Sequence, residues 1–81
     1  MIELIKDQTL FETIMRYIDR QSMTVHEFSK QVDISIPTIY LMKSRKPALR
    51  TYRKLANEFN VDVWDLRQLS IHKDVEKESD K

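Results

Sequence analysis

The chain has 81 residues, of which 14 are Lys or Arg and 13 are Asp or Glu, so its formal net charge is only +1. A chain this short forms one domain that buries about 60% of its unfolded surface, which excludes a second domain. It contains no Cys, which excludes disulfides, thiolate metal ligands and a cysteine nucleophile, and no apolar run approaches the roughly 20 residues of a membrane span.

The first eight residues lack the basic start and apolar run of a signal peptide, so we expect an N-terminal extension (1–8) on a cytoplasmic protein. Thr9 and Glu12 then predict a capping box, in which the first and fourth residues of a helix start exchange side-chain and backbone hydrogen bonds. The apolar residues that follow recur at helical spacing: Leu10, Phe11, Ile14, Met15 and Ile18. The first helix should run from about residue 10 to residue 21.

A second capping box, Thr24 with Glu27, predicts a helix over residues 25–32 whose buried face carries Phe28 and Val32. Asp33 should end this helix in the left-handed conformation, because Asp tolerates that backbone better than most residues and the chain has no Gly.

A third helix should follow after only three residues. Ile34 returns to the core, Ser35 is a favoured helix N-cap, and Pro37 suits the first helical turn, where its missing N–H costs nothing. Ile39 and Met42, three residues apart, supply the inward face. The third helix is therefore expected over residues 36 to about 44.

Pro47 is expected to open a fourth helix, and Asn60 should close it in the left-handed conformation, since the chain has no Gly. The predicted buried stripe of this helix is Leu49, Tyr52, Leu55, Ala56 and Phe59. Val61 is then a core residue, and Asp62 should cap a short fifth helix anchored by Val63 and Leu66. Residues 71–81 are charged and lack periodicity, so we expect a disordered tail.

Parts of this pattern resemble a known family. The parts are Phe28-Ser29-x-x-Val32, Ile34-Ser35-x-x-Thr38-Ile39 and Leu55-Ala56-x-x-Phe59-Asn60-Val61-Asp62. In order and spacing they resemble the lambda-repressor-like (Cro/CI, XRE) helix-turn-helix family. The resemblance implies a compact, all-α, five-helix domain over residues 9–70, with the helix-turn-helix at helices 2 and 3 and a DNA recognition helix at residues 36–43. The family commonly has Gly where this chain has Asp33 and again near Arg45, which predicts a locally different exit from the third helix.

The recognition helix implied by the resemblance has unusually apolar outward positions. Among them only Thr38 and Tyr40 can hydrogen-bond a base edge, and neither offers the bidentate contact of Arg, Gln or Asn. One interpretation is a transcriptional regulator of phage or mobile-element type that reads thymine methyls and DNA shape. The other is a protein-binding module, such as an antirepressor, adaptor or antitoxin, that uses the same apolar surface. The candidate base-contacting residues are Ile36, Pro37, Thr38, Tyr40 and Leu41.

Six basic residues and no acidic residue lie between positions 43 and 54. Because charge distribution matters more than net charge for nucleic-acid binding, this run predicts phosphate contacts with double-stranded DNA. The alternative is that these basic residues form an ordinary solvated surface that binds nothing. The candidate phosphate-contacting residues are Lys43, Ser44, Arg45, Lys46 and Arg50.

Trp64, the only Trp, stands beside the apolar stripe of the fifth helix. It either closes the small core or anchors a weak homodimer, since Trp is enriched at interface hot spots. His26 and His72 have no second ligand at useful spacing, so we expect no metal. The chain also lacks a Gly-rich phosphate loop and any recognisable nucleophile motif, so we expect neither a cofactor, nor a small-molecule ligand, nor an enzyme.

Overall fold

Five helices and no strand form the part of the chain that the structure, a computed structural model, describes, residues 2–72. The helices are α1 (Leu10–Arg20), α2 (Val25–Val32), α3 (Ile36–Leu41), α4 (Leu49–Phe59) and α5 (Val63–Arg67). The predicted all-α, five-helix class is confirmed. Residue 1 and residues 73–81, which include most of the expected tail, lie outside the described residues. Within residues 2–72, none of the helices has the length and apolarity needed to span a bilayer.

Local side-chain chemistry sets where four of the helices begin. Both predicted capping boxes form: the Glu12 N–H donates to the Thr9 hydroxyl at 3.1 Å, and the Glu27 N–H donates to the Thr24 hydroxyl at 3.0 Å. In each box the Glu carboxylate accepts the backbone N–H of the capping Thr. Ser35 and Asp62 cap α3 and α5, as predicted.

The start of α4 differs from the prediction. Pro47 does not open the helix, because Ala48 is extended (φ −67°, ψ 159°) and stands as the N-cap, so that α4 begins at Leu49. Leu49 is also not part of the buried stripe, since 41% of its surface is exposed. Helical spacing identifies the face on which a residue lies, but it does not tell how far along the helix axis neighbouring elements extend.

The exit from α3 is also shorter than predicted. The helix ends at Leu41, and the next residues form tighter turns, in which the N–H of Lys43 donates to the Tyr40 carbonyl and that of Ser44 to the Leu41 carbonyl. Similarly, α1 ends at Arg20, one residue before the predicted end.

Two helix ends take the left-handed backbone that the sequence predicts. Asp33 closes α2 and Asn60 closes α4, both at φ 58°. Ser22, at φ 55°, is a third left-handed residue, which the sequence pattern did not indicate. Asp33 is held from a distance as well, because the Lys54 ammonium of α4 donates to its backbone carbonyl at 2.8 Å and to its carboxylate at 3.4 Å.

The core extends beyond residues 9–70 at both ends. Ile2 and Ile71 are buried, with 3% and 8% of their surfaces exposed. The N–H of Ile2 donates to the Phe59 carbonyl at 3.3 Å, and the N–H of Leu10 donates to the Ser70 carbonyl at 2.9 Å. At the centre lie apolar residues with no more than 1% of their surface exposed, contributed by all five helices and the C-cap of α3: Leu10, Ile14, Phe28, Ile39, Met42, Leu55, Phe59 and Leu66.

One carboxylate joins three helices at the side of the core. Glu58 of α4 accepts a hydrogen bond from the Tyr17 hydroxyl of α1 at 2.6 Å and another from the Gln31 amide of α2. The Tyr17 ring packs between Phe28 and Phe59, with ring centroids 5.8 and 4.8 Å away. The hydrogen bond to Glu58, together with burial and the nearby negative charge, raises the pKa of Tyr17 to about 12.

Replacing Asp33 tests how much free energy the left-handed backbone at this position costs a residue that has a Cβ atom. Asp33→Ala should have a free energy of unfolding roughly 1–2 kcal/mol lower than that of Asp33→Gly. The Cβ atom of Ala clashes with the backbone in the left-handed conformation, whereas Gly has no Cβ. Both variants remove the same carboxylate interaction with Lys54, so their difference isolates the backbone contribution. Urea unfolding measures it, and equal stabilities of the two variants would contradict the turn geometry.

The raised pKa of Tyr17 predicts a pH-dependent stability contribution. In the folded state the pKa is about 12, above the ordinary value of 10.0, so the folded protein favours the protonated hydroxyl. That contribution is complete below pH 10 and is lost as pH rises through 12. The stability difference between wild type and Tyr17→Phe should therefore shrink across this window in urea unfolding. A difference that stays constant from pH 9 to pH 12 would contradict the hydrogen bond.

Candidate nucleic-acid interface

A three-residue turn sets the direction of α3 relative to α2. After the left-handed Asp33, the buried Ile34 places its N–H on the Ser29 carbonyl at 3.1 Å. The Ser29 hydroxyl in turn donates to the Ile34 carbonyl at 2.6 Å. Ser35 then caps α3. The turn is thus closed on α2 by hydrogen bonds on both sides of Ile34, which fixes the angle at which α3 leaves.

The buried face of α3 determines which side chains point outward. Ile39 and Met42 are inside the core, with 0% and 1% of their surfaces exposed. Pro37, Tyr40 and Leu41 lie on the opposite, exposed face. Ile36 and Thr38 are half-buried at its two margins. The structure therefore gathers the five candidate base-contacting residues on one short helix, with three of them fully on its outer side.

The two hydroxyl-bearing candidates both contact other side chains, Thr38 through its hydroxyl and Tyr40 through its ring. The Thr38 hydroxyl lies 2.8 Å from the Ser35 hydroxyl, as part of the α3 cap. The Tyr40 ring packs on the ring of Phe11 from α1, with centroids 5.8 Å apart. Tyr40 nevertheless keeps 46% of its surface exposed, and Leu41 keeps 48%. The accessible surface of α3 is accordingly mostly apolar.

Phe11 is a residue of this surface that the sequence pattern did not identify. It is half-buried, and besides supporting Tyr40 its ring lies 5.3 Å from the Lys43 ammonium, within cation–π range. The only local signal was that Phe11 stands one position off the fully buried stripe of Leu10 and Ile14. Phe11 thus links the outer face of α3 to the first of the basic residues.

The four residues after Met42, the C-cap of α3, form what we term the basic linker, Lys43, Ser44, Arg45 and Lys46, and all four are exposed. The Ser44 hydroxyl donates to the Leu41 carbonyl at 3.3 Å. Arg50, the remaining candidate phosphate-contacting residue, is exposed in the first turn of α4. The one salt bridge within residues 2–72 joins Lys54 to Asp33, so the candidate cations carry charge that no carboxylate of this region neutralises through a salt bridge.

Trp64 projects from α5 with 62% of its surface exposed. Its ring lies 4.9 Å from the guanidinium carbon of Arg67, and the same guanidinium lies 5.8 Å from the ring of the buried Tyr52. Trp64 is thus mostly outside the core and covers one side of Arg67. Its proposed role as a homodimer anchor stays a prediction.

The described residues offer no grouping of three or more His, Cys, Asp or Glu side chains that could hold a metal ion. His26 and His72 are both exposed.

Comparison with known proteins returned no match among protein-family models, curated proteins or solved structures. The functional interpretation therefore depends on the geometry and charge of α3 and the basic linker.

Proposed function

We propose that this protein is a sequence-specific DNA-binding transcriptional regulator, resembling the small repressors of phages and mobile elements, in which α2, the turn and α3 act as a helix-turn-helix. The observation that carries the proposal is the direct continuation of the exposed face of α3 into the basic linker. A helix in the major groove has phosphates on both sides, so cations at its end meet the duplex backbone.

Phosphate contacts should supply most of the affinity in this arrangement. Lys43, Arg45, Lys46 and Arg50 are exposed and form no salt bridge within residues 2–72, so DNA binding breaks no ion pair of that region. Each phosphate that they neutralise releases condensed counterions, which makes binding strongly dependent on salt.

Sequence preference should come from apolar contact and DNA shape. Leu41 and Tyr40 present apolar surface that fits thymine methyl groups, whereas no exposed residue of α3 offers the two-point hydrogen bond that Arg makes with guanine. The preferred site is therefore expected to be rich in A·T pairs, with part of its selectivity arising from the sequence-dependent shape and stiffness of the duplex.

A second candidate function is protein binding, as in an antirepressor, adaptor or antitoxin. The exposed apolar surface of Pro37, Tyr40 and Leu41 favours it, because such a surface on a small domain often marks a protein interface. The cations of the basic linker, which lie beside that surface, favour DNA binding instead. The two functions differ in one measurable property, the salt dependence of binding to duplex DNA.

Neutralising the basic linker should weaken DNA binding irrespective of sequence. The triple variant Lys43→Ala, Arg45→Ala and Lys46→Ala should flatten the slope of log affinity against log salt by about 0.9 for each phosphate that it no longer neutralises. Fluorescence anisotropy with a labelled random duplex at several salt concentrations measures the slope.

The matched control removes the same charge elsewhere, from the exposed residues Lys6, Arg20 and Lys30. It should leave the slope nearly unchanged. If both triple variants change the slope equally, the effect is one of net charge and the assignment of the basic linker is wrong.

Truncating the outer face of α3 should reduce sequence preference more than affinity for random duplex. A wrong base pair in a specific site typically costs about 1–3 kcal/mol, and this discrimination should shrink in Tyr40→Ala and Leu41→Ala. Leu49→Ala is the matched control, since Leu49 is similarly exposed (41%) but lies on α4. Selection from a random duplex library provides the sites. Failure of the wild type to enrich any motif would favour the protein-binding alternative.

A further inference from the structure

A second basic feature lies between the basic linker and residues 67–72, which comprise the last residue of α5 and the chain after it. The two segments enclose an open cleft of about 450 Å³, which we term the cationic cleft. Its polar lining consists of Ser44, Arg45, Lys46, Arg67, Gln68, Ser70 and His72. Segments more than 20 residues apart in sequence therefore contribute to one site, which is why no local sequence pattern indicated it.

The charge of this cleft is one-sided. Arg45, Lys46 and Arg67 supply three basic side chains, and no Asp or Glu is among the lining residues. None of the three forms a salt bridge within residues 2–72. Three cations around one cleft repel each other unless an anion lies between them, so the arrangement favours binding of an anion.

The wall formed by residues 67–72 is fixed by the core beneath it. Leu69 and Ile71 are buried, with 6% and 8% of their surfaces exposed, and the Ser70 carbonyl between them accepts the Leu10 N–H at 2.9 Å. Ser70 and His72 are consequently held on the exposed side. A preformed wall lowers the entropic cost of ordering groups around a ligand.

Arg67 is restrained by two aromatic rings, those of the exposed Trp64 and the buried Tyr52. Its guanidinium carbon lies 4.9 Å from the Trp64 ring and 5.8 Å from the Tyr52 ring, and such contacts restrict a side chain that is otherwise very flexible. Burial raises the pKa of Tyr52, and the positive charge of Arg67 acts in the opposite direction. The exposed Trp64 thus has a role that requires no dimer, because it helps to position Arg67.

We infer that the cationic cleft is a phosphate-binding site, in which Arg67 and Arg45 bind the oxygens of a single phosphate group from opposite walls. Arg is suited to this task because its planar guanidinium donates two parallel hydrogen bonds to phosphate oxygens.

The inference deepens the proposed function, on which it rests for the source of the phosphate. Arg45 and Lys46 belong both to the basic linker and to the cleft, so a duplex backbone that contacts the linker brings a phosphodiester to Arg67. Inorganic phosphate has the same oxygen chemistry and serves as the small-molecule probe.

Two measurements on Arg67→Gln test the inference, with Arg20→Gln as the matched control. Both arginines are exposed and lie in the last turn of a helix, but Arg20 is on α1, outside the cleft lining. Duplex binding by Arg67→Gln should have a salt slope lower than wild type by about 0.9, whereas Arg20→Gln should match wild type. In a titration with inorganic phosphate at constant ionic strength, the backbone amide resonances of Ser70 and His72 should shift in wild type and stay unchanged in Arg67→Gln.

The outcomes separate the site from the proposed function. Phosphate-dependent shifts that Arg67→Gln abolishes support the site, even if no duplex binds, in which case the proposed function fails and the ligand is free phosphate. If duplex binds while Arg67→Gln alters neither its salt slope nor the phosphate titration, the site is overturned and the proposed function stands. Absence of both duplex and phosphate binding in wild type overturns both.

Discussion

The left-handed turn at Asp33 is the constraint on which the rest of the surface depends. It ends α2 after eight residues and sends the chain into α3 with only Ile34 and Ser35 between the turn and the next helix. Lys54 binds the turn from α4, and the Ser29 hydroxyl closes it on α2. A turn held from two helices cannot rotate freely, so the orientation of α3 is built into the core rather than left to a flexible loop.

The composition of α3 follows from that orientation. Ile39 and the C-cap residue Met42 fill the core, so Pro37, Tyr40 and Leu41 lie on the opposite, exposed side of α3. The residues on that side are apolar or aromatic, and the charged residues begin where the helix ends. Recognition and electrostatic attraction are consequently divided between neighbouring segments, with α3 presenting shape and the basic linker presenting charge.

Trp64 and Phe11 illustrate a common use of aromatic side chains at the edge of this small core. Each lies against a cation of the surface, Trp64 against Arg67 and Phe11 against Lys43. An aromatic face attracts a cation without neutralising it, so the positive charge remains available to an anion. Both rings therefore preserve basic surface that a carboxylate at the same position would cancel.

The caps at the starts of four helices and the two left-handed helix ends could be predicted from the sequence, although the start of α4 and the left-handed Ser22 could not. The capping boxes of α1 and α2 and the left-handed Asp33 and Asn60 depend on interactions within a few residues, and the structure has all of them. Features that depend on residues distant in sequence could not be predicted. The exposure of Leu49 depends on how far the core extends along α4. The junction at Glu58 requires three helices to meet, and the cationic cleft requires the chain after α5 to return to the linker after α3.

The candidate base-contacting residues show the same division. Their presence on one helix followed from spacing alone, because Ile39 and Met42 mark the inward direction. The packing of Tyr40 on Phe11 and the capping contact of Thr38 depend on side-chain positions that spacing does not specify. Of the two hydroxyls that could hydrogen-bond a base edge, that of Thr38 is therefore already part of the α3 cap.

The central claim, that α3 and the basic linker contact DNA, is tested most directly by mapping backbone amide shifts while an unlabelled duplex is added to the isotopically labelled protein. We expect saturable shifts concentrated in residues 36–46 and at Arg50, which diminish as salt is raised. Shifts confined to other surfaces, or no saturable shift at low salt, would contradict the claim.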